Sequence, residues 1–593
     1  MTYRAPVAEM LFAMRHVGGL DRALADGLYG DLSLDLAETV LEQAGAFAGE
    51  VIAPLNGVGD RHGASFKEGA VSTAPGWAEA YRAWTEAGWN ALPAPPEHGG
   101  QGLPTLMSAA CTEMWNAASM AFALAPLLTA GAIEALLSHG SDELKERYLE
   151  KLVAGTWTAT MNLTEPQAGS DLNLIRTRAE RAGDGTYRLR GQKIYITYGE
   201  HDLTDNIVHM VLARLPDAPP GTRGISLFLV PKFLPDGTRN DVRCHSIEHK
   251  MGIHGSPTCT MIYGDREGAL GWLVGEENRG LACMFTMMNN ARLGVGLQGV
   301  AVAERATQQA LAYARERRQG RASGAAGEGM SPIIEHPDVM RMLMTMKALT
   351  MAARALCYMT AAAIDRARLS PTDGERASAH ERASLLTPVA KAFATDIANE
   401  VASLGIQVHG GMGYIEETGA AQHYRDARIA AIYEGTNGIQ AIDLVMRKLP
   451  LSGGETVRGQ IAAMRATVQR LVKEGGDAFG ATAARLREAI ASLDGATSFM
   501  LKGTGGNSPE EALAGATPYL RLFALAQGGA ALADLALAAH AAIAAGDTDP
   551  AHAARIATCR FFAENIATAA RGLEASVLSG AGFVHDASLA LAS

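Results

Sequence analysis

The strongest candidate for chemistry is a carboxylate in a glycine-rich turn. Glu434 stands in the segment at residues 433–440, directly before apolar residues spaced as one face of a helix. Burial beside Ile432 and Tyr433 is expected to raise the pKa of this carboxyl group toward that of a usable general base. The free N–H groups of the following helix could also hold a phosphate or polarise a carbonyl. This segment alone leaves open the alternative that Glu434 only caps that helix.

A second candidate is the loop at residues 161–172, which ends a strand-like run. It contains a proline, a glycine and several small hydroxyl or amide side chains. Because Gly169 and Ser170 put little bulk in the way, the backbone N–H groups of this loop can approach a carbonyl or phosphate oxygen closely. Taken alone, the same segment also fits an ordinary β-turn.

Three further features of the sequence are weaker candidates for a functional site. Residues 294–299 fit the dinucleotide pattern GxGxxG, but they follow a helical Met and Asn run instead of a strand, so close helix packing explains these glycines better. His245, His249 and His254 match no ordinary zinc spacing, and we expect no metal. The methionines between residues 284 and 346 are typical of core filler, although a cavity that tolerates thioethers would also use them.

These candidates need elements that position them, and the periodicity of the chain divides it into four parts. Helical periodicity dominates residues 1–156 and returns over residues 281–450. Between them, residues 157–280 form short alternating or β-branched runs separated by Gly, Asp and Pro, which predicts strands. After a linker, residues 451–593 form a further Ala- and Leu-rich helical region. The expected fold class is therefore α+β, in the order helix, β, helix, helix.

The second part is expected to form its own small sheet. Its clearest strand-like runs follow one another without helices between them, at residues 187–190, 193–197, 207–212 and 225–230. Strands at that spacing predict a small antiparallel barrel or sandwich.

Composition limits the classes of function. The 593 residues carry a formal net charge of −11, with 48% hydrophobic and 19% charged residues, as expected of a globular enzyme. Unclustered acidic charge argues against nucleic acid as the main partner. The six cysteines stand at no metal or redox spacing. Asp534 and His540 interrupt the apolar run at residues 528–546, and no signal peptide is apparent, so a cytoplasmic protein without a membrane span is expected.

The two candidate segments together resemble the paired signatures of the acyl-CoA dehydrogenase family, whose loops commonly have the patterns TEPxAGSD and YEGTxxIQ. Here the first pattern falls on residues 164–171 and the second on residues 433–440. Both matches are long, and they stand in the family's order with a helical stretch between them. The resemblance extends over roughly residues 35 to 450. Supporting matches lie at residues 191–197, 250–252, 289–292, 316–318 and 407–414.

This resemblance implies that the chain binds FAD. In the family, the first loop lies against the flavin ring and pyrophosphate, with Leu163 and Thr164 near the reactive edge of the ring. Tyr195 stands where the family usually has a tryptophan that covers the flavin. Arg317 and residues 407–411 match positions that bind FAD across a subunit interface, which implies at least a homodimer. The implied FAD contacts are Met161, Leu163, Thr164, Gly169, Ser170, Tyr195, Thr197, Arg317, Gln407, Gly410, Gly411, Thr436 and Gly438.

The resemblance also implies the reaction. Glu434 matches the family's base, which removes the α-proton of a CoA thioester while FAD takes a hydride from the β-carbon. The backbone N–H of Glu434 and a ribityl hydroxyl of FAD would polarise the thioester oxygen. Gly435 falls beside the thioester, and Asn289 and Arg292 fall near the CoA pantetheine and nucleotide. Ser170 would contact the flavin phosphate or CoA, and an electron-transfer flavoprotein would accept the electrons.

Two features resemble a bacterial branch of the family: the opening residues 3–17 and the helical extension after Pro450. Within that branch, the variants at residues 253–259 and 434–438 resemble those of the enzymes that oxidise 3-methylmercaptopropionyl-CoA to methylthioacryloyl-CoA in dimethylsulfoniopropionate breakdown. The alternative is a broad short- or medium-chain fatty acyl-CoA dehydrogenase, because pocket depth does not follow from these motifs.

Two other classes share parts of the pattern. Some relatives with C-terminal extensions bind DNA and have little dehydrogenase activity, but residues 451–593 carry eleven Lys and Arg against thirteen Asp and Glu, without a basic run. An acyl-CoA oxidase shares the base and the flavin loops, and rapid release of peroxide would identify it. The extension is expected to cover the surface that a second pair of subunits would occupy, which favours a dimer over a tetramer.

Overall fold

Helices dominate the first part of the chain, as its periodicity predicts. The structure, a computed structural model, describes residues 3–325, 329–504 and 509–592. A short hairpin interrupts the first helices, and the sequence pattern does not predict it. The longest helix of this part, Thr105–His139, is kinked at Ser119, where the backbone is extended. The elements are α1 (Val7–His16), α2 (Leu20–Ala25), α3 (Leu34–Phe47), α4 (Asn56–His62), β1 (Ser65–Lys67), β2 (Ala70–Ser72), α5 (Trp77–Glu86), α6 (Thr105–His139) and α7 (Asp142–Val153).

The central part is one sheet of eight strands. The sheet closes on itself because the last strand pairs with both β7 and β5. Of the two predicted alternatives, barrel or sandwich, the structure shows the barrel. The strands are β3 (Trp157–Asn162), β4 (Arg178–Arg181), β5 (Tyr187–Thr197), β6 (Asn206–Arg214), β7 (Ile225–Pro231), β8 (Val242–Ile247), β9 (Thr258–Tyr263) and β10 (Ala269–Val274).

The sheet is mostly but not wholly antiparallel. Strand β3 runs parallel to β6 through six residue pairs, and β4 meets β6 in the same sense. The residues between β3 and β6 include β4 and β5, which gives the long crossover that a parallel pair requires. Strand β7 is buried at every residue and β6 at all but its last, because the sheet packs against α6 and α7 on one side and encloses the barrel interior on the other.

A bundle of long helices follows the sheet: α8 (Gly280–Glu316), α9 (Pro337–Leu369), α10 (Asp373–His409), α11 (Ala420–Ala430) and α12 (Asn437–Asp443). Helix α10 packs along α8 and α9, and α6 packs on α8. A Cβ atom on Gly294 would lie 2.5 Å from Cδ1 of Leu127 in α6, so this glycine allows two helices to approach closely. The interpretation of residues 294–299 as a packing motif is thereby confirmed.

The last part is a second helical domain, which packs on the bundle. Its helices are α13 (Glu455–Glu474), α14 (Thr482–Thr504), α15 (Pro509–Ala514), α16 (Ala516–Ala544), α17 (Pro550–Phe561), α18 (Ala570–Ser579) and α19 (Gly582–Ala590). Helix α16 contacts α9, α10 and α12. By length and composition, α6 and α16 could each cross a membrane, but 78% and 89% of their most apolar windows are buried inside the fold. The predicted α+β fold, with its order helix, β, helix, helix, is confirmed.

Candidate active site

Glu434 lies in a tight turn between α11 and α12. Its backbone is left-handed, with φ at 55°, and the next residue, Gly435, has φ at 83°. The buried side chain of Gln440 donates to the carbonyl oxygens of Glu434 and Gly435, at 3.2 and 3.4 Å. A Cβ atom on Gly435 would lie 2.7 Å from the Nε2 of Gln440. The turn therefore holds a non-glycine residue in a strained conformation, as functional sites often do.

Glu434 does not cap the helix that follows it. The N-cap residue of α12 is Thr436, whose side chain accepts a hydrogen bond from the backbone N–H of Ile439 at 3.2 Å. The alternative that Glu434 serves only as a cap is therefore wrong. Within residues 3–325, 329–504 and 509–592, neither the carboxylate nor the backbone N–H of Glu434 makes a hydrogen bond. The carboxylate can accept a proton, and the N–H can donate to a ligand.

The surroundings set the acidity of this carboxyl group. Burial raises the pKa of Glu434 to about 7, in the direction that its apolar neighbours predict. The positive charges of Arg292 and Lys391 oppose this shift without cancelling it. Burial also lowers the pKa of Lys391 to about 7. A carboxylate with a pKa near neutral pH is well matched to general-base catalysis.

A cavity of about 450 Å³ reaches Arg292, whose charge acts on the carboxyl group of Glu434. Arg292, in α8, is 7% exposed, and its Nη1 lies 3.7 Å from Oδ2 of Asp443. Both residues line the cavity, so it connects a buried ion pair with apolar walls. Those apolar walls come mainly from α6, α8 and the tryptophans of the N-terminal part: Trp84, Trp89, Trp115, Ala123, Leu127, Leu293 and Leu297.

The loop at residues 161–172 is a tight turn fixed by a buried ion pair. Glu165 and Ala168 exchange two backbone hydrogen bonds, at 3.0 and 2.9 Å, as the β-turn interpretation predicts. The Nζ of Lys193 donates to the carbonyl oxygen of Leu163 at 2.9 Å and to Oε1 of Glu165 at 2.8 Å. The carboxylate of Glu165 also accepts from the Thr177 hydroxyl at 2.6 Å. These hydrogen bonds thus set the path of the loop.

The same loop meets an exposed aromatic side chain. The pairing of β5 with β9 shifts register between Lys193 and Ile196, and at this bulge Tyr195 has φ at 59° and is 61% exposed. The N–H of Ile194 donates to the carbonyl oxygen of Thr164 at 3.0 Å. The bulge turns Tyr195 outward beside the loop, as bulges next to functional sites often do.

Comparison with known proteins decides the family. The model for the acyl-CoA dehydrogenase N-terminal domain matches residues 35–156, that for the middle domain matches residues 160–265, and that for the C-terminal domain matches residues 278–449. A fourth model, "Acetyl-CoA dehydrogenase C-terminal like", matches residues 460–587. The chain belongs to the acyl-CoA dehydrogenase family. It is an FAD-dependent enzyme that oxidises acyl-CoA thioesters.

Relatives in this family match most of the chain. It is 49% identical to 3-methylmercaptopropionyl-CoA dehydrogenase of Ruegeria pomeroyi, over 95% of this chain and 96% of that protein. It is 36% identical to the broad-specificity linear acyl-CoA dehydrogenase FadE5 of Mycobacterium tuberculosis, over 77% of this chain and 78% of that protein. The fold matches an acyl-CoA dehydrogenase of Bacillus anthracis solved with FAD, with a TM-score of 0.73 and 23% identity, over 93% of this chain and 89% of that one.

Several predicted FAD residues in the β part of this acyl-CoA dehydrogenase have positions that fit the cofactor. Tyr195 offers an exposed ring for stacking, beside the part-buried Met161, Leu163 and Thr164. Gly169 is exposed, and the position where a Cβ atom would stand has no other atom within 4 Å, which leaves room for a ligand at the loop backbone. These residues fit a flat aromatic ring and an adjacent anionic group.

A second group of predicted FAD residues lies where α8 and α10 end. Arg317 follows the last residue of α8, and Gln407, Gly410 and Gly411 stand at the end of α10. All four are exposed. The rings of Tyr313 and His409 stack with their centroids 4.4 Å apart, which holds the two helix ends together. Hydrogen bonds and ion pairs of the described residues do not join these four residues to the Glu434 turn or to the loop at residues 161–172.

The other residues predicted to contact FAD or CoA lie in β5, the loop at residues 161–172, α8 and α12. Thr197 lies half-buried at the end of β5, Ser170 is exposed in the loop, and Gly438 is exposed in the first turn of α12. Asn289 lies in α8, but its side chain is outside the part of the chain that the structure describes. Of the predicted substrate contacts, Gly435 directly follows Glu434, and the charge of Arg292 acts on the carboxyl group of Glu434.

The sequence patterns did not identify the buried residues that hold the Glu434 turn and the loop at residues 161–172 in place. Lys391, Lys193 and Gln440 have no exposed surface, and Glu165 is 3% exposed. A usable signal was present for Lys391, which stands alone among apolar residues in the run at 389–394. Because a buried ammonium group is costly unless it is paired, a lysine in such a run indicates a specific role.

Proposed function

We propose that Glu434 is the base that removes the α-proton of the acyl-CoA substrate. The observation that carries this proposal is a carboxylate without a hydrogen-bond partner among the described residues, whose pKa burial raises to about 7. Its own backbone N–H is free to donate to the thioester oxygen, where negative charge develops as the proton leaves. When bound, FAD supplies the acceptor for the hydride that leaves the β-carbon, and the product is the trans-enoyl thioester.

The FAD site is proposed to combine residues of two subunits. Met161, Leu163, Thr164, Tyr195 and Thr197 would contact the flavin ring, and Gly169 and Ser170 would offer backbone N–H groups to the pyrophosphate. Thr436 and Gly438 stand beside Glu434 and would contact the same FAD. The exposure of Arg317, Gln407, Gly410 and Gly411 supports a role toward the FAD of a partner subunit, and thus a homodimer.

The CoA thioester is proposed to lie against residues on both sides of the turn. Gly435 would stand beside the thioester, Arg292 and Asn289 near the pantetheine and nucleotide, and Ser170 near a phosphate. The cavity that reaches Arg292 offers apolar walls for an acyl chain. An electron-transfer flavoprotein would accept the electrons, in the cytoplasm. The boundaries proposed for the four domains are 1–156, 157–280, 281–450 and 451–593.

The proposed substrate is 3-methylmercaptopropionyl-CoA, oxidised to methylthioacryloyl-CoA. It is supported by 49% identity to the Ruegeria pomeroyi enzyme of that name over nearly the whole chain. The second candidate is a broad range of short- and medium-chain fatty acyl-CoA thioesters, which is favoured by 36% identity to the broad-specificity FadE5.

The two candidates are separated by kcat/KM with matched thioesters. We would compare 3-methylmercaptopropionyl-CoA with pentanoyl-CoA, in which a methylene replaces the sulfur, and with octanoyl-CoA, under an artificial electron acceptor. A preference of about tenfold or more for the sulfur compound over pentanoyl-CoA supports the first candidate. Equal or higher values for octanoyl-CoA support the second. Rapid peroxide release in air, with O₂ as the electron acceptor and no other acceptor added, would instead assign the chain to the oxidases.

A further inference from the structure

Lys391 contacts the turn that contains Glu434. It lies in the middle of α10 with no exposed surface. Its Nζ donates to the carbonyl oxygen of Gly435 at 2.9 Å and to Oδ1 of Asn437 at 2.8 Å. The carbonyl of Gly435 belongs to the residue directly after Glu434. One ammonium group therefore fixes the chain on both sides of Thr436.

The second acceptor is itself held in a single orientation. The Nδ2 of Asn437 donates to Oδ1 of Asp396 at 2.6 Å and to the hydroxyl of Thr395 at 3.0 Å, both on α10. The backbone N–H of Asn437 donates to the carbonyl oxygen of Ala431 at 3.1 Å. Because its amide nitrogen is bound to Asp396, the amide oxygen of Asn437 must face Lys391. Hydrogen bonds thus join α10 to the turn through both Lys391 and Asn437.

Stability alone gives no reason for a lysine at this position. Its neighbours Ala390 and Ala392 are each 1% exposed, so this part of α10 is buried. Burying an ammonium group is unfavourable, and apolar residues of similar volume often replace buried charges without loss of stability. A methionine would match the length of Lys391 in this helix. The two hydrogen bonds of the lysine to the turn, together with its positive charge, give a reason for its presence.

We propose that Lys391 is a positioning residue for proton abstraction: it fixes the strained Glu434–Gly435 turn through the Gly435 carbonyl and places a positive charge beside the carboxylate. This inference rests on the proposed role of Glu434 as the base. The sign of the charge supports this role of Lys391. Its positive charge lowers the pKa of Glu434 and so favours the ionised base. The ionisable groups that interact with the carboxylate are Arg292, Lys391 and Tyr433. Asp396 acts in turn on Lys391, and Asp443 and Arg447 act on Arg292.

The test uses the FAD-loaded enzyme and follows anaerobic flavin bleaching by a fixed acyl-CoA between pH 5.5 and 9. In Lys391→Met, the bleaching rate constant at pH 7 is expected to fall about tenfold or more, because the base is no longer held in position. The acid limb of the pH profile moves to higher pH, since the carboxylate loses a neighbouring positive charge. Asn437→Ala removes one contact of the turn but keeps that charge. Its bleaching rate constant should therefore fall, while its acid limb should move less than that of Lys391→Met.

Two controls separate positioning from general damage. Lys232→Met removes a part-buried lysine of the β part that pairs with Glu200, and its acid limb should match the wild type. Thermal unfolding and FAD content are measured for every variant, and Asn437→Ala carries the test if Lys391→Met does not fold. The proposal is overturned if folded Lys391→Met has the wild-type bleaching rate and an unshifted acid limb. If only Asn437→Ala folds, a wild-type rate in that variant overturns it. If Glu434→Gln bleaches at the wild-type rate, the proposed base is wrong, whatever Lys391→Met shows.

Discussion

The Nζ of Lys193 lies 2.9 Å from the carbonyl oxygen of Leu163, and the ammonium group is wholly buried. Lys391 has the same relationship to the carbonyl oxygen of Gly435, also at 2.9 Å. A buried lysine thus holds the backbone of each loop that the sequence patterns identify, one in the β part and one in the helical bundle. The same kind of contact fixes both segments.

Replacing Lys193 by methionine should weaken the flavin side of the site. Glu165 is 3% exposed, and this change would leave its carboxylate without its cation, which is expected to destabilise the protein by about 3 to 5 kcal/mol. Thermal unfolding and FAD content measure the effect, and both should decrease. Because Lys193→Met/Glu165→Gln removes both charges, it should recover part of the loss. A single variant with wild-type stability and FAD content would contradict the role of this pair.

Gly435→Ala should reduce activity strongly. At φ 83° a Cβ atom is strained by about 1 to 3 kcal/mol, and it would also press on the buried side chain of Gln440. The turn must then move, and the carboxylate of Glu434 moves with it. The matched control is Gly459→Ala in α13, where a Cβ atom has no neighbour within 4 Å. Steady-state kcat should fall at least about tenfold in the first variant and stay unchanged in the second.

Stability should depend on pH through Glu434. Its pKa is raised from 4.5 to about 7 in the folded protein, so between those values the native state keeps a proton that the unfolded state has released. The wild type therefore loses stability as pH rises through this window. Glu434→Gln has no such proton, so its stability relative to the wild type should increase between pH 5 and pH 8, by about 2 kcal/mol.

Denaturant unfolding of the apoprotein at pH 5 and pH 8 measures this difference. The control is Glu417→Gln, an exposed carboxylate in the segment between α10 and α11. Its stability relative to the wild type should be the same at both pH values. An equally flat result for Glu434→Gln would show that burial does not raise the pKa of Glu434.

Local patterns in the sequence predicted the parts of the fold and site that depend on neighbours along the chain. The α+β class, the order of the parts and the Glu434 turn all follow from such patterns, because periodicity and turn residues act over a few positions. The hairpin of β1 and β2 was missed because its strands are three residues long. The parallel pairing of β3 with β6 depends on partners about fifty residues apart along the chain, which no local pattern indicates.

The supporting residues of the site could not be predicted for the same reason. Lys391 meets Gly435 across 44 residues, and Lys193 meets Leu163 across 30. These contacts form because α10 packs against the Glu434 turn and β5 packs against the loop at residues 161–172. The strained φ of Glu434 is likewise a result of tertiary packing, since residue type alone disfavours it.

The most direct test of the account is anaerobic rapid mixing of FAD-loaded wild type, Glu434→Gln and Glu417→Gln with 3-methylmercaptopropionyl-CoA, while flavin absorbance is followed. We expect fast bleaching by the wild type and by Glu417→Gln. Glu434→Gln should retain FAD and bind the thioester but bleach at least about a thousandfold more slowly, because the α-proton then has no acceptor. Bleaching by Glu434→Gln at the wild-type rate would contradict the central claim that this carboxylate is the base.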